Sequence, residues 1–160
     1  MASRNHQSAG PWAALDPGRS KCGLVLTDAA GMEIVAALVL PPEACWQQLQ
    51  HWQASTPLQG LVLGDGTGSQ SWQARLPQLG MPVLVVAEAG TTLAARRRYW
   101  ELLPPRGWRR LLPEGLRLPP RDWDDVVAQL LLERHLGHGL RRRPGVDPTR
   151  VQNFARTVKA

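Results

Sequence analysis

An aspartate closes the first apolar run of this sequence, and small residues follow it: Leu15-Asp16-Pro17-Gly18-Arg19-Ser20-Lys21-Cys22-Gly23-Leu24-Val25-Leu26. A carboxylate at the end of a strand lies on the sheet surface, and the two glycines let a phosphate or a metal ion approach the backbone closely. Other acids occupy comparable places. Asp65 follows the apolar run Leu58 to Gly64 and sits between two glycines, Glu88 stands just after the run Pro82 to Ala87, and Asp124 and Asp125 open the last helical stretch. Carboxylate oxygens are the donors that hard divalent cations take. No CxxC pair accompanies the two cysteines, Cys22 and Cys45, so neither a zinc site nor a disulfide framework is implied.

The elements that must carry these acids can be read from periodicity. Trp12 to Asp16, Cys22 to Thr27 and Met32 to Leu40 form an antiparallel meander turned at Asp28-Ala29-Ala30-Gly31. From Glu43 the spacing becomes helical, with Cys45, Leu49 and Trp52 on one stripe, until Ser55-Thr56-Pro57 ends it. Leu58 to Gly64 reads as a strand buried on both faces. A helix follows with Trp72, Leu76 and Leu79 on one face and Gly80 as its stop. Pro82 to Ala87 is the next buried strand, and Thr91 or Thr92 can cap a helix running to Leu103. Residues 104–121 hold five prolines and five arginines, a loop too long to be a mere connector. The result is an α/β fold: a mixed five-stranded sheet, three antiparallel strands and then parallel β-α-β units, with helices on both faces. Its expected boundaries are a flexible segment 1–11, a domain 12–137 and a basic tail 138–160.

At 160 residues the chain is one domain with tails. Its charge is skewed. Residues 1–88 hold four basic groups against six acids, whereas residues 89–160 hold fifteen basic groups, fourteen of them arginine, against seven acids. Arginine's planar fork matches phosphate oxygens, so the skew favours a polyanionic partner. No apolar run reaches the roughly 20 residues a membrane helix needs, so no membrane partner and a cytoplasmic setting are expected.

The pattern D-x-G-x4-G at Asp16 occurs in ribonuclease-H-like nucleases and in actin and sugar-kinase ATPases, but the ATPases need two such domains. Three blocks together resemble the YqgF/RuvX group of RuvC-like nucleases: LDPGRSKCGLVLTD around Asp16, AEAGTTLAARRRYW around Glu88 and WDDVVAQLLLERHL around Asp124. The resemblance spans about Trp12 to Leu136. It implies a ribonuclease-H-like fold, a catalytic and metal-binding set of Asp16, Glu88 and Asp124, and Mg2+ or Mn2+ as cofactor. The implied activity is maturation of precursor small-subunit ribosomal RNA, with Holliday-junction resolution as the alternative. A third reading is a nucleic-acid-binding domain that keeps the fold without turnover. RuvC-type resolvases work as dimers, so a homodimer also follows from the resemblance, although no apolar stripe is left over to form one. Two positions depart from the family: its Gly-Leu-Pro is Gly64-Asp65-Gly66 here, and the acid before the glutamate is Ala87.

Phosphodiester hydrolysis supplies a reason for three acids. It needs an activated water and a stabilised leaving oxygen, and two divalent ions about 3.5–4 Å apart provide both. Asp65 competes as a fourth ligand, with a plain turn aspartate the favoured reading. On the helix a stripe of Trp123, Val127, Leu130 and Leu131 puts Asp124 at the core edge and Asp125 toward solvent, so Asp125 is the weaker candidate ligand. Arg19, Lys21, Thr91, Thr92, Arg96, Arg97 and Arg98 are candidate nucleic-acid contacts, and Arg141-Arg142-Arg143 could grip phosphates. Trp100 and Trp108 could stack on bases, with core packing favoured for both. His135 and His138 read as solvated helix-end residues.

Overall fold

The structure is a computed structural model and describes residues 10–147. Residues 1–9 and 148–160, which include most of the expected N-terminal segment and over half of the expected tail, lie outside the described residues. Strands β1 (Trp12–Asp16), β2 (Cys22–Thr27) and β3 (Glu33–Leu40) form the meander, followed by α1 (Pro42–Ser55), β4 (Gly60–Gly64), α2 (Ser69–Arg75), β5 (Val83–Val86), α3 (Thr91–Leu102), α4 (Asp124–Leu136) and β6 (Arg141–Arg142). The sheet order is β5-β4-β1-β2-β3-β6. The β1-β2 and β2-β3 pairs are antiparallel, while β1-β4, β4-β5 and β3-β6 are parallel. A meander extended through parallel β-α-β units, with helices on both faces, is the ribonuclease-H-like arrangement.

Strand alternation divides the core into two layers. Ala14, Val25 and Val62 face α3 and α4, where Tyr99, Trp100, Val127 and Leu131 cover them. Ala13, Leu15, Leu24, Leu61 and Leu63 face the other way, onto Cys45, Trp46 and Leu49 of α1 and Trp72 of α2. Gly80, with φ 74°, ends the turn after α2 as its position suggested.

Three expectations change. The sheet has six strands, because the expected tail re-enters it: Arg141 and Arg142 pair with Glu33 and Ile34, and Leu140 is fully buried. The packed chain therefore continues past residue 137. β5 is an edge strand, not a buried one, with Leu84 and Val85 exposed. An unbroken apolar run is compatible with either position, and only the strand order decides.

The third correction concerns α4. It is buried almost all round, since the sheet, α3 and the 138–147 segment enclose it, so the Trp123-Val127-Leu130-Leu131 stripe does not tell core from solvent. Asp125, Gln129 and Glu133, spaced four apart, form a second, polar stripe along the helix. Asp125 is fully buried. Its two oxygens accept from Arg121 Nη1 at 2.7 Å and Arg142 Nη1 at 2.8 Å. Arg142 Nε also donates to Gln129 Oε1 at 2.8 Å. Gln129 Nε2, Arg98 Nη2 and the Leu140 amide all converge on Glu133 Oε1, at 3.0, 2.7 and 2.8 Å. This ladder fastens α3, α4 and β6 together. Asp125→Ala leaves two guanidiniums in the interior without their shared carboxylate, so urea unfolding should show a loss of about 3–5 kcal/mol.

Candidate active site

The sheet register brings the carboxyl ends of three parallel strands together, the usual place for a ligand crevice in such sheets. Leu15 pairs with Leu63 and Gly64 with Val86, so Asp16 at the end of β1, Gly64 at the end of β4 and the residues just after β5 share one rim. Asp16 is also opposite Gly23 of β2. Glu88, two residues beyond β5, lies back across Gly64 and Gly66. A Cβ at Gly64 would stand 2.0 Å from Glu88 Oε1, and one at Gly66 would stand 2.3 Å from Oε2. The two glycines are thus the seat of the Glu88 carboxylate. The departure from Gly-Leu-Pro leaves room for this side chain instead of disturbing it.

Gly23 does the same for the last helix. A Cβ there would meet the Asp124 carbonyl oxygen at 1.9 Å and the Asp125 amide nitrogen at 2.6 Å. Only a bare backbone on β2 lets the first turn of α4 settle against the strand, and that turn holds Asp124 at the rim.

Asp16 and Glu88 are in direct contact. Burial, then the nearby Glu88 and Asp124 charges, push the Asp16 carboxyl from 3.8 to about 8. Glu88 Oε1 is buried with no hydrogen-bond partner. Among the described residues neither Asp16 nor Glu88 forms an ion pair. Asp124 is half-buried and its pKa is raised, chiefly by burial and then by the Asp122 charge. It acts on Asp16 through its field. Among the described residues no three His, Cys, Asp or Glu side chains are gathered closely enough to hold one ion jointly.

Asp65 is neither a free turn aspartate nor part of the Asp16–Glu88 pair. It is exposed, and its Oδ1 accepts the Glu88 backbone N–H at 2.9 Å while its own amide donates to the Val86 carbonyl at 3.0 Å. The role is to hold the chain that presents Glu88. Asp125, expected toward solvent and as a candidate ligand, has both oxygens occupied by arginine, which leaves neither for an ion.

The candidate nucleic-acid contacts separate into free and committed groups. Arg19 is exposed beside the Asp16 turn. Lys21 pairs with Asp122. Arg98 is tied to Glu133, Glu101 and the Leu140 carbonyl, so it belongs to the scaffold. Arg96 donates to the Gly115 carbonyl at 3.2 Å, and Arg97 lies 3.7 Å from Glu114. Thr91 is buried and Thr92 exposed, and neither caps α3: Gly90, with φ 74°, holds the cap position. Arg142 is buried in the ladder and Arg143 pairs with Glu33. His135 packs against Trp12 with ring centroids 4.9 Å apart, and His138 Nε2 lies 2.9 Å from the Gly31 carbonyl oxygen. Trp100 is a core residue as expected, but Trp108 is exposed. Sequence reasoning also missed the arginine ladder, for which the i, i+4, i+8 spacing of Asp125, Gln129 and Glu133 was the available signal.

No protein-family model and no curated protein matches the chain. Among solved structures 99 chains match. One is T. thermophilus RuvC in complex with a Holliday junction substrate, at 13% identity over 80% of this chain and 96% of that one, with a TM-score of 0.48. At that identity the likeness concerns the fold, which the strand order and register already establish.

Two outcomes follow from the site geometry. The folded chain keeps an Asp16 proton that the unfolded chain releases above pH 3.8, so the metal-free protein should lose stability as pH rises from about 4 to about 8. Asp16→Asn should flatten that slope in denaturant titrations at pH 5 and pH 8 with chelator present. Gly66→Val should displace the Glu88 carboxylate, and carboxyl-carbon NMR should then find Asp16 titrating below its wild-type midpoint, with the part of the rise due to burial remaining.

Proposed function

We propose that the chain is a divalent-metal-dependent nuclease that hydrolyses phosphodiester bonds, with Asp16 and Glu88 holding the ion and Asp124 completing the acidic rim. One observation carries this reading. The molecule neutralises Asp125 and Glu133 with arginines, yet at the strand ends it sets the half-buried Asp16 and Glu88 carboxylates beside each other with no arginine or lysine paired to either among the described residues. Uncompensated carboxylates are costly in the interior. A site that keeps them has a use for concentrated negative charge, and an orphaned Glu88 Oε1 is a ligand atom already stripped of competing donors.

The donor set is all oxygen, which suits Mg2+ or Mn2+ and does not suit softer ions. Such an ion would supply an activated water and charge stabilisation on the leaving oxygen. The chain's own residues do the rest. Gly64 and Gly66 keep the approach to Glu88 open, Asp65 fixes the backbone that carries it, and Arg19 stands beside the Asp16 turn where a phosphate would arrive. The skew of arginine toward the second half of the chain fits a polyanion as substrate.

The resemblance to YqgF/RuvX nucleases read from the three sequence blocks favours precursor ribosomal RNA as the substrate and a four-way DNA junction as the alternative. Labelled forms of both, incubated with Mg2+, Mn2+ or chelator, test this directly. Asp16→Asn and Glu88→Gln should each lower the cleavage rate by about 100-fold or more, with binding in chelator retained. Binding without any metal-stimulated cleavage of either substrate would instead identify a domain that grips nucleic acid without turnover.

A further inference from the structure

The long connection between α3 and α4 is a built element. Two short 3-10 turns, Gly107–Leu111 and Glu114–Leu116, are closed by Arg117, whose Nε donates to the carbonyls of Arg109 at 3.1 Å and Leu112 at 2.8 Å and whose Nη2 donates to that of Arg110 at 3.2 Å. The Arg117 carbonyl in turn accepts the indole N–H of core residue Trp100 at 3.0 Å. Arg96 reaches the Gly115 carbonyl, and Arg97 lies beside Glu114. The excursion is therefore fastened to α3 at three points.

What this scaffold presents to solvent is unusual. Trp108 is 64% exposed and Leu111 87% exposed, with Leu116 and Leu118 also open. Large apolar side chains held rigidly in water mark a contact surface. Their surroundings are cationic. Between residues 103 and 121 there are five arginines and one acid, Glu114, and Arg106, Arg109 and Arg110 form no ion pair among the described residues. The Arg109 guanidinium lies 5.2 Å from the Trp108 ring centroid. An exposed indole flanked by unpaired guanidiniums is the combination that binds unpaired nucleotides: the ring offers a stacking face to any base, and the arginines meet the adjoining phosphates.

We propose that the 104–118 excursion is a single-strand contact element in which Trp108 stacks on an unpaired base of the substrate. Arg106, Arg109 and Arg110 hold the neighbouring phosphates. The inference rests on the nucleic-acid reading of the acidic site and narrows its substrate to one with unpaired nucleotides. A fully paired duplex offers only base edges and backbone and gives the indole nothing to stack on.

The test is fluorescence anisotropy of the full chain in chelator, with a labelled single-stranded oligonucleotide and its fully paired duplex. Trp108→Ala should weaken single-strand binding by about 5- to 150-fold, the range for losing one base-aromatic stack, and leave duplex binding within about twofold. Trp108→Phe should restore most of the loss. Arg110→Gln should lower the salt dependence of single-strand binding by about 0.7 in the log-log slope. Melting curves should coincide for all variants, because these side chains point to solvent.

Unchanged single-strand affinity in Trp108→Ala, or an equal loss on both oligonucleotides, overturns the proposal. So does a changed sedimentation coefficient with unaltered oligonucleotide binding, which would make the surface a contact between copies of the chain. The nuclease reading fails separately: a Trp108-dependent single-strand preference with no metal-stimulated cleavage would leave the contact element standing and remove the enzyme.

Discussion

Two carboxylates forced together at the end of a buried sheet are the constraint on which the rest of this molecule turns. Asp16 and Glu88 repel one another and, among the described residues, pair with no arginine or lysine, so burial and the neighbouring charge hold the Asp16 carboxyl far above the usual carboxylate range. Nothing in their own chemistry favours this contact. The surrounding backbone imposes it, through a strand register that aligns the ends of β1, β4 and β5, and through Gly64 and Gly66, where no side chain competes for the space.

The contrast within α4 shows that the pairing is selective. Asp124 and Asp125 are adjacent in sequence and about 100° apart around the helix. Asp125 is drawn into a lattice of guanidiniums that binds α3, α4 and β6 to one another, whereas Asp124 stays on the acidic rim. A single residue step along the helix thus separates a scaffold acid from a site acid. The ladder has a second consequence: Arg98, Arg121 and Arg142, which sequence composition alone would assign to a phosphate surface, are spent on holding the helices. The positive field left for a polyanion comes from other residues, including those of the excursion between α3 and α4.

That excursion and the acidic rim are joined through α4, whose first residue is Asp124. The chain leaves α3, builds the Arg117-closed turns, and returns by way of Arg121 and Asp122 to the helix that carries the rim acid. Arg121 itself pairs with Asp125. The proposed contact surface and the acidic rim are consequently mounted on one covalent path.

Much of this was legible without coordinates. The meander, the alternation of helices and strands, the placement of Asp16 and Glu88 at strand ends and Gly80 as a stop all follow from local periodicity and backbone preference, which depend on near neighbours in the chain. The tertiary structure alone decided that β5 is an edge, that residues 141 and 142 add a sixth strand, that Asp125 is interior and that Trp108 is exposed. Each of these is set by what packs against a residue from a distant part of the sequence. An apolar run reads the same beside one neighbour or two, and an acid on a helix reads the same whether solvent or a far arginine awaits it. Local pattern specifies the elements and the acids they carry, whereas burial and pairing belong to contacts that exist only once the sheet has closed over its helices.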